Sequence, residues 1–240
     1  MTHAPPIPVA AVELTIDDRP PALDPAERAA AAAGWAARLA ANPALWNGPF
    51  FLFQDVVIEP GRAFRAVACP TDFATFLHWR ADPAPDDRFA HVFPVAAVTS
   101  RDDRLLLGVM GPTTANAGLA YPPSGSFDDD DRVGAALDPL VNIRRELAEE
   151  VGIDHADLVA EPGWWVIGSG PRRFALVKRH RSALTAAELE ARIAHHLATD
   201  GDGELSGVLL VPFDRPLPPE RTVPYVAPLA ALLAAVSAAA

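Results

Sequence analysis

Cysteine and lysine are almost absent from this chain of 240 residues. Cys69 is the single cysteine, so no disulfide forms within the chain and no metal site can be built from several thiolates. Lys178 is the single lysine, and 31 acidic residues against 20 basic ones give a formal net charge of -11. Nucleic-acid binding needs a basic patch that releases counterions, so we expect no nucleic-acid partner.

Long apolar segments are also lacking. The most apolar stretch, residues 229–240, is too short to cross a bilayer, and the N-terminal residues do not combine a basic segment with an apolar run. These features predict a cytoplasmic protein with no membrane partner. Half of the residues are hydrophobic, which is enough for a substantial core in one large domain or in a domain with an extension.

The strongest chemical signal is a helix predicted at residues 139–151. Asp138 can cap its start, Pro139 suits its first turn, and Gly152 suits the left-handed position that ends many helices. One face is apolar and is expected to pack on a core: Leu140, Ile143, Leu147 and Val151. The polar face of the helix therefore points away from that core.

Carboxylates crowd this polar face. Glu146, Glu149 and Glu150 are neighbours because residues three or four apart share a helix face, and Arg145 lies one turn from Glu149. Such like charges repel one another unless a cation joins them, and Mg2+ takes oxygen ligands while keeping waters and substrate phosphate oxygens. We interpret the helix as a metal platform; the alternative is an ordinary solvated acidic surface.

The acidic segment carries a family resemblance. Residues 145–153 read R-E-L-A-E-E-V-G-I and resemble the second half of the Nudix box, G-x5-E-x7-REUxEExGU, in which U is a bulky apolar residue. Every fixed position of that half is present. The turn that opens the box resembles residues 123–125, but Gly125 lies twenty residues before Arg145 where the pattern has fourteen.

An insertion of six residues accounts for this difference in spacing. It falls within residues 126–136, which contain four consecutive aspartates, and a loop absorbs such an addition at little entropic cost. Counting back from Arg145 puts Leu137 where the box has its first Glu. Asp138 is the candidate substitute at the helix start.

The resemblance implies an α/β fold, the Nudix-type α/β/α sandwich with a mixed sheet, plus an N-terminal α+β extension. We place the extension at residues 1–89 and the Nudix hydrolase domain at residues 90–240. The extension is predicted to contain an irregular arm, a helix ending near residue 41, a β-hairpin and a short helix. Residues 42–48, together with the hairpin that follows them, resemble the extension of a divergent branch that includes UDP-sugar hydrolases.

The family also implies a reaction. It is Mg2+-dependent hydrolysis of the diphosphate bond of a nucleoside diphosphate linked to another moiety, with UDP-sugars favoured and Mn2+ as an alternative metal. Glu149 and Glu150 are the implied principal metal ligands, and Glu146 is a ligand or a water-activating base. Arg145 is implied to orient these carboxylates.

Further site residues are expected outside the box. Many members of the family use another acid as base or ligand, and Glu204, in a loop before a predicted strand, is the candidate, with Glu161 as a weaker rival. Arg172 and Arg173 follow a turn and can bind phosphate through their planar donor forks. Asn116 lies in a segment that also resembles the UDP-sugar branch. The alternative for each is an ordinary polar loop residue.

Two other functions stay open at this point. One is a Nudix-fold sensor that binds a nucleotide with weak or no catalysis, which Leu137 and the insertion allow. The other is a diphosphatase for coenzyme A, dinucleotides or damaged nucleotides, since loops rather than the box set the substrate. The expected partner is a small nucleotide substrate, and a homodimer is the candidate assembly.

Overall fold

The computed structural model describes residues 4–43, 45–82, 87–114, 116–201 and 203–238. These residues form thirteen strands and five α-helices. The strands are β1 (Ile7–Val9), β2 (Ala11–Ile16), β3 (Pro49–Glu59), β4 (Ala63–Asp72), β5 (His91–Thr99), β6 (Arg104–Met110), β7 (Ala120–Tyr121), β8 (Arg132–Val133), β9 (Ala136–Leu137), β10 (Leu158–Ala160), β11 (Trp164–Gly168), β12 (Arg173–Ser182) and β13 (Leu205–Pro212). The helices are α1 (Pro25–Ala41), α2 (Phe73–Ala81), α3 (Pro139–Val151), α4 (Ala186–Thr199) and α5 (Val226–Ala238).

A mixed sheet forms the middle layer. Its strand order is β1-β11-β12-β5-β6-β13, with β10 beside β12 and β7 beside β6. Strands β5 and β12 run parallel, and their neighbours in this sheet pair antiparallel. All nine residues of β5 are buried, as expected for a strand that is covered on both faces.

Helices cover the two faces of this sheet. On one face, Ile143 and Leu147 of α3 share a core with Val92 and Ala96 of β5, and α4 joins the same core. On the other face, Leu229 of α5 packs into a separate core with side chains of β5, β6 and β12. This is an α/β/α arrangement with a mixed sheet, which confirms the predicted fold class.

A second sheet has the order β3-β4-β2-β9-β8 and packs into the α3 side of the structure. Phe53 of β3 and Ala90 exchange two backbone hydrogen bonds of 2.9 and 2.7 Å, which fixes this sheet to the start of β5. Phe76 of α2 packs against Phe50 of β3 in a smaller cluster. This contact matters for the functional site because it places α2 beside the N-terminal end of β5.

The predicted irregular arm at the N-terminus is wrong. Its residues form β1 and β2, which pair with β11 and with β4 respectively. Proline suggested irregular structure, but β1 lies at the edge of the central sheet, where Pro8 costs no hydrogen bond of a central ladder. The partners of both strands lie far along the chain, so local sequence does not indicate the pairing.

Several local predictions are confirmed. Helix α1 begins with a capping box between Asp24 and Glu27, β3 and β4 form the hairpin, and α2 follows it. Thr185 and Glu188 form the predicted capping box of α4. Helix α5 and the short β8–β9 pair inside the insertion were not expected.

The division at residue 89 stays a prediction. Two strand pairings cross it: β1 joins β11, and β2 joins β9 inside the insertion. Within the described ranges, no helix is both long and apolar enough to cross a membrane.

Candidate functional site

A cavity of about 370 Å3 brings together α2, α3, the turn that opens the box, and loops around the central sheet. Two sets of charged or titratable side chains line it. We call Glu146, Glu149 and Glu204 the acidic group, and Arg80, His91 and Arg173 the basic group. A wider depression of about 740 Å3 beside α3 contains none of the predicted site residues.

Helix α3 has the predicted ends and the predicted buried face. Asp138 accepts a hydrogen bond of 2.8 Å from the Leu140 amide, and Gly152 ends the helix with φ of 62°. Ile143 and Leu147 are buried in the core. Because both ends and the apolar face are fixed, Glu146 and Glu149 are carried to the cavity.

The opening turn of the box meets the acidic helix in spite of the insertion. The carbonyl of Pro123 accepts a hydrogen bond of 2.9 Å from the Ala96 amide, which anchors the turn on β5. A Cβ atom at Gly125 would lie 1.9 Å from Glu146 Oε1, so only glycine leaves room for this carboxylate. The turn at residues 123–125 and the acidic helix are therefore in contact.

Arg145 connects four carboxylates. Its Nη1 lies 2.8 Å from Glu146 Oε1 and 3.6 Å from Glu149 Oε2, and its Nη2 lies 3.3 Å from Asp131 Oδ1 and 3.4 Å from Asp128 Oδ2. Burial alone would lower the pKa of Arg145, but Glu146, Asp131 and Asp128 raise it overall. This guanidinium is positioned to hold Glu146, which is the role that the resemblance implies.

Asp131 is a site residue that the sequence analysis missed. It is fully buried, accepts a hydrogen bond of 2.9 Å from Asn142 Nδ2, and contacts Arg145. Leu137, which occupies the box position of the first Glu, is buried in the core, and Asp138 caps α3 instead of replacing that Glu. The insertion thus supplies a carboxylate to Arg145 from Asp131, six residues before Leu137. The run of four aspartates was the available signal.

Glu146 has an unusual electrostatic environment. Its pKa is raised to about 7, mainly by burial; Arg145 opposes the rise, and Glu204, Glu149 and Asp131 contribute to it. In the described part of the chain, no three His, Cys, Asp or Glu side chains are already arranged as metal ligands. The donor chemistry nevertheless fits a hard divalent cation, because such a cation takes oxygen ligands and would relieve the repulsion among these carboxylates.

The other two box carboxylates differ in exposure. Glu149 has a side chain that is 57% exposed and lines the cavity. Glu150 is buried and is not among the residues that line the cavity. The pKa of Tyr121 is raised to about 12, mainly by burial, with Glu150 and Glu204 acting in the same direction. Glu150 is therefore a buried residue that influences Tyr121, whereas the Glu149 side chain is mostly exposed to solvent.

Glu204 reaches the cavity from outside the box. Its carbonyl accepts a hydrogen bond of 2.7 Å from the Gly111 amide, and a Cβ at Gly111 would lie 2.7 Å from the Gly203 carbonyl oxygen. This close approach of two backbone segments holds the loop that carries Glu204. Glu161 is 3.4 Å from Arg179 and does not line the cavity.

The predicted substrate-binding residues separate into two sets. Arg173 and Asn116 line the cavity, and Asn116 Nδ2 donates a hydrogen bond of 3.3 Å to Tyr121 Oη. Arg172 does not line it; its Nε donates to the Phe89 carbonyl at 3.1 Å. Arg80 and His91 were not predicted, because they reach the cavity only through the packing of α2 and β5.

No protein-family model matches the chain, and no curated protein matches it. Solved structures with similar folds include the MutT protein of Methanosarcina mazei Go1, with 16% identity, a TM-score of 0.42, and coverage of 62% of this chain and 95% of that one. The Nudix hydrolase RenU of M. smegmatis shows 15% identity, a TM-score of 0.41, and coverage of 62% and 86%. The bifunctional NMN adenylyltransferase/ADP ribose pyrophosphatase of Francisella tularensis shows 15% identity, a TM-score of 0.39, and coverage of 67% and 44%. Similarities of this size carry no argument about activity or substrate.

Proposed function

We propose that this protein is a metal-dependent hydrolase that cleaves the diphosphate of a nucleoside diphosphate linked to another moiety. The observation that carries the proposal is the acidic group in one cavity, with Glu146 held between Arg145 and the turn at Gly125. Carboxylates that repel one another beside a cavity suit a bound divalent cation and an anionic substrate.

The box residues would hold the metal. Glu146 and Glu149 line the cavity, and Glu150 of the same helix is the third ligand that the box implies. Mg2+, or Mn2+ in its place, would neutralise charge on the phosphoryl oxygens and on the leaving group. Arg145 and Asp131 would not bind the metal themselves; they fix the position of the Glu146 carboxylate.

We assign the transfer of the water proton and the positioning of the substrate to residues of the chain. The oxygen of a water molecule forms a bond to phosphorus, and the bond from phosphorus to the bridging oxygen breaks. The water proton passes to a carboxylate: Glu204 is our candidate base, and Glu146 is the alternative. The products are a nucleoside monophosphate and the phosphorylated second moiety. Arg173 and Asn116 line the same cavity and are our candidates for substrate binding.

UDP-sugars are the substrates to test first, because residues 42–48 and the hairpin that follows resemble the extension of UDP-sugar hydrolases. The test is Mg2+-dependent turnover of UDP-sugars, ADP-ribose, dinucleotides, coenzyme A and nucleoside triphosphates, with products identified by mass spectrometry. We expect Glu149→Gln and Glu204→Gln each to lower kcat/KM by about 10²- to 10⁴-fold. Glu190→Gln, the same change at an exposed position of α4, is the matched control.

Three outcomes are distinguishable. Turnover that depends on Glu149 and Glu204 supports the hydrolase and identifies its substrate. Nucleotide binding without turnover would replace it with the sensor. Turnover that is unaffected by both changes would mean that the chemistry takes place elsewhere.

A further inference from the structure

The basic group lies in the same cavity as the acidic group, yet it makes no ion pair with it. Among the residues that the structure describes, neither Arg80 nor Arg173 lies within ion-pair distance of a carboxylate. Burial lowers the pKa of Arg173, and the nearby Arg80 lowers it further. Both arginines therefore line the cavity without a carboxylate within ion-pair distance, in a protein whose net charge is -11.

Unpartnered polar atoms collect at the same place. Both ring nitrogens of His91, the hydroxyl of Ser169 and Nε of Arg173 are buried and have no hydrogen-bond partner. All three residues line the cavity; Ser169 is fully buried and His91 is 6% exposed. Buried donors are nearly always satisfied, so three of them around one space indicate an acceptor that the protein does not itself provide.

The fold holds these donors in fixed positions. Arg173 and His91 are direct neighbours in the parallel pairing of β12 with β5. The turn before β12 is closed by a hydrogen bond of 2.8 Å from the Ser169 amide to the Arg173 carbonyl, and the Arg172 carbonyl accepts a hydrogen bond of 2.9 Å from the His91 amide. Arg172, although outside the cavity, thus ties the turn to β5. A site built on paired strands needs little rearrangement to bind a ligand.

An aromatic wall adjoins the donors. The Phe76 and His91 rings are 4.6 Å apart, the His91 and Phe93 rings 4.8 Å, and the Phe93 and Tyr225 rings 5.6 Å, measured between centroids. Arg80 Cζ lies 5.8 Å from the centroid of Phe76, so α2 brings a cation to this wall. Aromatic faces beside arginine suit a ring that bears an anionic substituent.

We propose that the basic group, with Ser169, is an anion subsite for a second anionic substituent of the substrate, separate from the diphosphate at the acidic group. The inference rests on the proposed function, and it narrows the substrate class to nucleoside diphosphate derivatives that carry a further phosphomonoester or carboxylate. Arginine forks match both groups, and a phosphomonoester brings a charge of about −2 against two guanidiniums. The cavity volume of about 370 Å3 lets one ligand contact both groups of residues.

Matched ligand pairs test the subsite. The pairs differ only in the extra anion: NAD+ and NADP+, dephospho-coenzyme A and coenzyme A, and UDP-glucose and UDP-glucuronate. Dissociation constants are measured by calorimetry with Ca2+ in place of Mg2+, since Ca2+ also takes oxygen ligands, and recovery of unchanged ligand after each titration shows that the result does not depend on turnover. We expect the anionic member of at least one pair to bind wild type at least tenfold more tightly, and the pair that does so identifies a phosphomonoester or a carboxylate.

Variants assign the preference to residues. Arg173→Gln and Arg80→Gln should each remove most of that tenfold difference, and Arg181→Gln, an exposed arginine on the same strand β12, should leave it intact. Equal loss for both members of a pair would mean that these arginines hold the shared diphosphate, which overturns the proposal. So would equal binding of both members to wild type, or no binding of any. Failure of Mg2+-dependent turnover would instead count against the hydrolase alone.

Discussion

The acidic and basic groups share one cavity but are stabilised in opposite ways. Glu146 is buried against Arg145, which also contacts buried Asp131, so the acidic group has its own counter-charge inside the protein. In the described ranges, Arg80 and Arg173 have no such counter-charge, and neither ring nitrogen of His91 has a hydrogen-bond partner. The acidic group is thus stabilised within the folded protein, whereas the buried, unpartnered nitrogens of His91 and Arg173 lower its stability unless a ligand pairs with them.

The two groups also differ in origin along the chain. Two of the three acidic residues come from one helix, and the third comes from the loop before β13. The basic residues come from α2, β5 and β12, three elements that meet only in the folded state. Tyr121 lies between the groups electrostatically, because Glu150 and Glu204 raise its pKa and Arg80 lowers it. Removing the buried partner of Arg145 should lower stability, whereas removing the unpartnered ring nitrogens of His91 should raise it.

Removal of the internal counter-charge should have the largest effect. Asp131→Asn leaves Arg145 without its buried partner, and we expect a loss of about 3 kcal/mol in the free energy of unfolding, at the lower end for broken buried pairs because Arg145 keeps Glu146 and some solvent. Asp129→Asn in the same aspartate run is the control, since it removes only an exposed pair with Arg132 and should cost less than about 1 kcal/mol. Urea unfolding of both variants makes the measurement, and equal losses would contradict the assignment of Asp131.

Acid pH should lower stability through a pair of histidines outside the cavity. His180 Nε2 lies 3.1 Å from His155 Nε2, and His180 Nδ1 lies 3.1 Å from the Lys178 carbonyl oxygen, to which it donates. Burial lowers the pKa of His180 to about 4, with His155 acting in the same direction. In the unfolded chain His180 binds a proton near pH 6.5, whereas in the folded protein it stays neutral down to about pH 4. The free energy of unfolding therefore decreases by about 3 kcal/mol as the pH falls from above 6.5 to 4.

His180→Gln should remove this part of the pH dependence, as followed by urea unfolding at pH 7.5 and pH 4.5. His195→Gln, at an exposed position of α4, is the control and should keep the wild-type difference. An unchanged difference in the His180 variant would show that other groups titrate. The measurement also gives the change in unfolding free energy that is due to His180, with which the change caused by substitution of the buried His91 can be compared.

Displacing one acidic carboxylate should reduce activity without unfolding the protein. Gly125→Ala puts a methyl group on the Glu146 carboxylate, which is the free end of a flexible side chain and moves more easily than the backbone. We expect turnover to fall about 100-fold, as for a misplacement of about 1 Å, with a change in unfolding free energy of about 1 kcal/mol. Gly34→Ala on α1, where nothing lies within 4 Å of the added atom, should leave turnover unaltered. Kinetics and urea unfolding of the two variants would separate positioning from folding.

The smallest expected effect is a gain in stability from the basic group. His91→Phe removes two buried ring nitrogens that lack partners and keeps a ring against Phe76 and Phe93. We expect an increase of about 1 kcal/mol in unfolding free energy, together with a loss of preference for the anionic member of the ligand pairs. A destabilised His91→Phe would mean that this histidine has a structural role, and the contrast with Asp131 would disappear.

Local sequence was sufficient for the parts of the site that lie on one element. The helix spacing predicted that Glu146 and Glu149 share a face, and the capping residues Asp138 and Gly152 predicted the ends of that helix. Glu204 could be predicted from the sequence because it precedes a recognisable strand. The roles of these residues in catalysis stay predictions.

Residues that depend on tertiary contacts could not be found in this way. Asp131 looked like one of four equivalent loop aspartates, and only folding buries it beside Asn142. Arg80 sits in a short helix with no motif, and its position follows from the packing of Phe76 on Phe50. The register of β5 against β12, which makes His91 and Arg173 neighbours, joins segments about 80 residues apart and leaves no local pattern.

The consecutive strands β1 and β2 belong to different sheets, and this arrangement has a consequence for folding kinetics. Ile7 pairs with Val166, which lies 159 residues later, and Leu14 pairs with Leu137. During synthesis β2 can pair early with β4, but β1 has no partner until β11 has emerged from the ribosome. Contacts of such long sequence separation slow folding, and unpaired strand edges favour aggregation in the meantime. The chain should therefore fold late and as one cooperative unit, with refolding yields that fall as protein concentration rises.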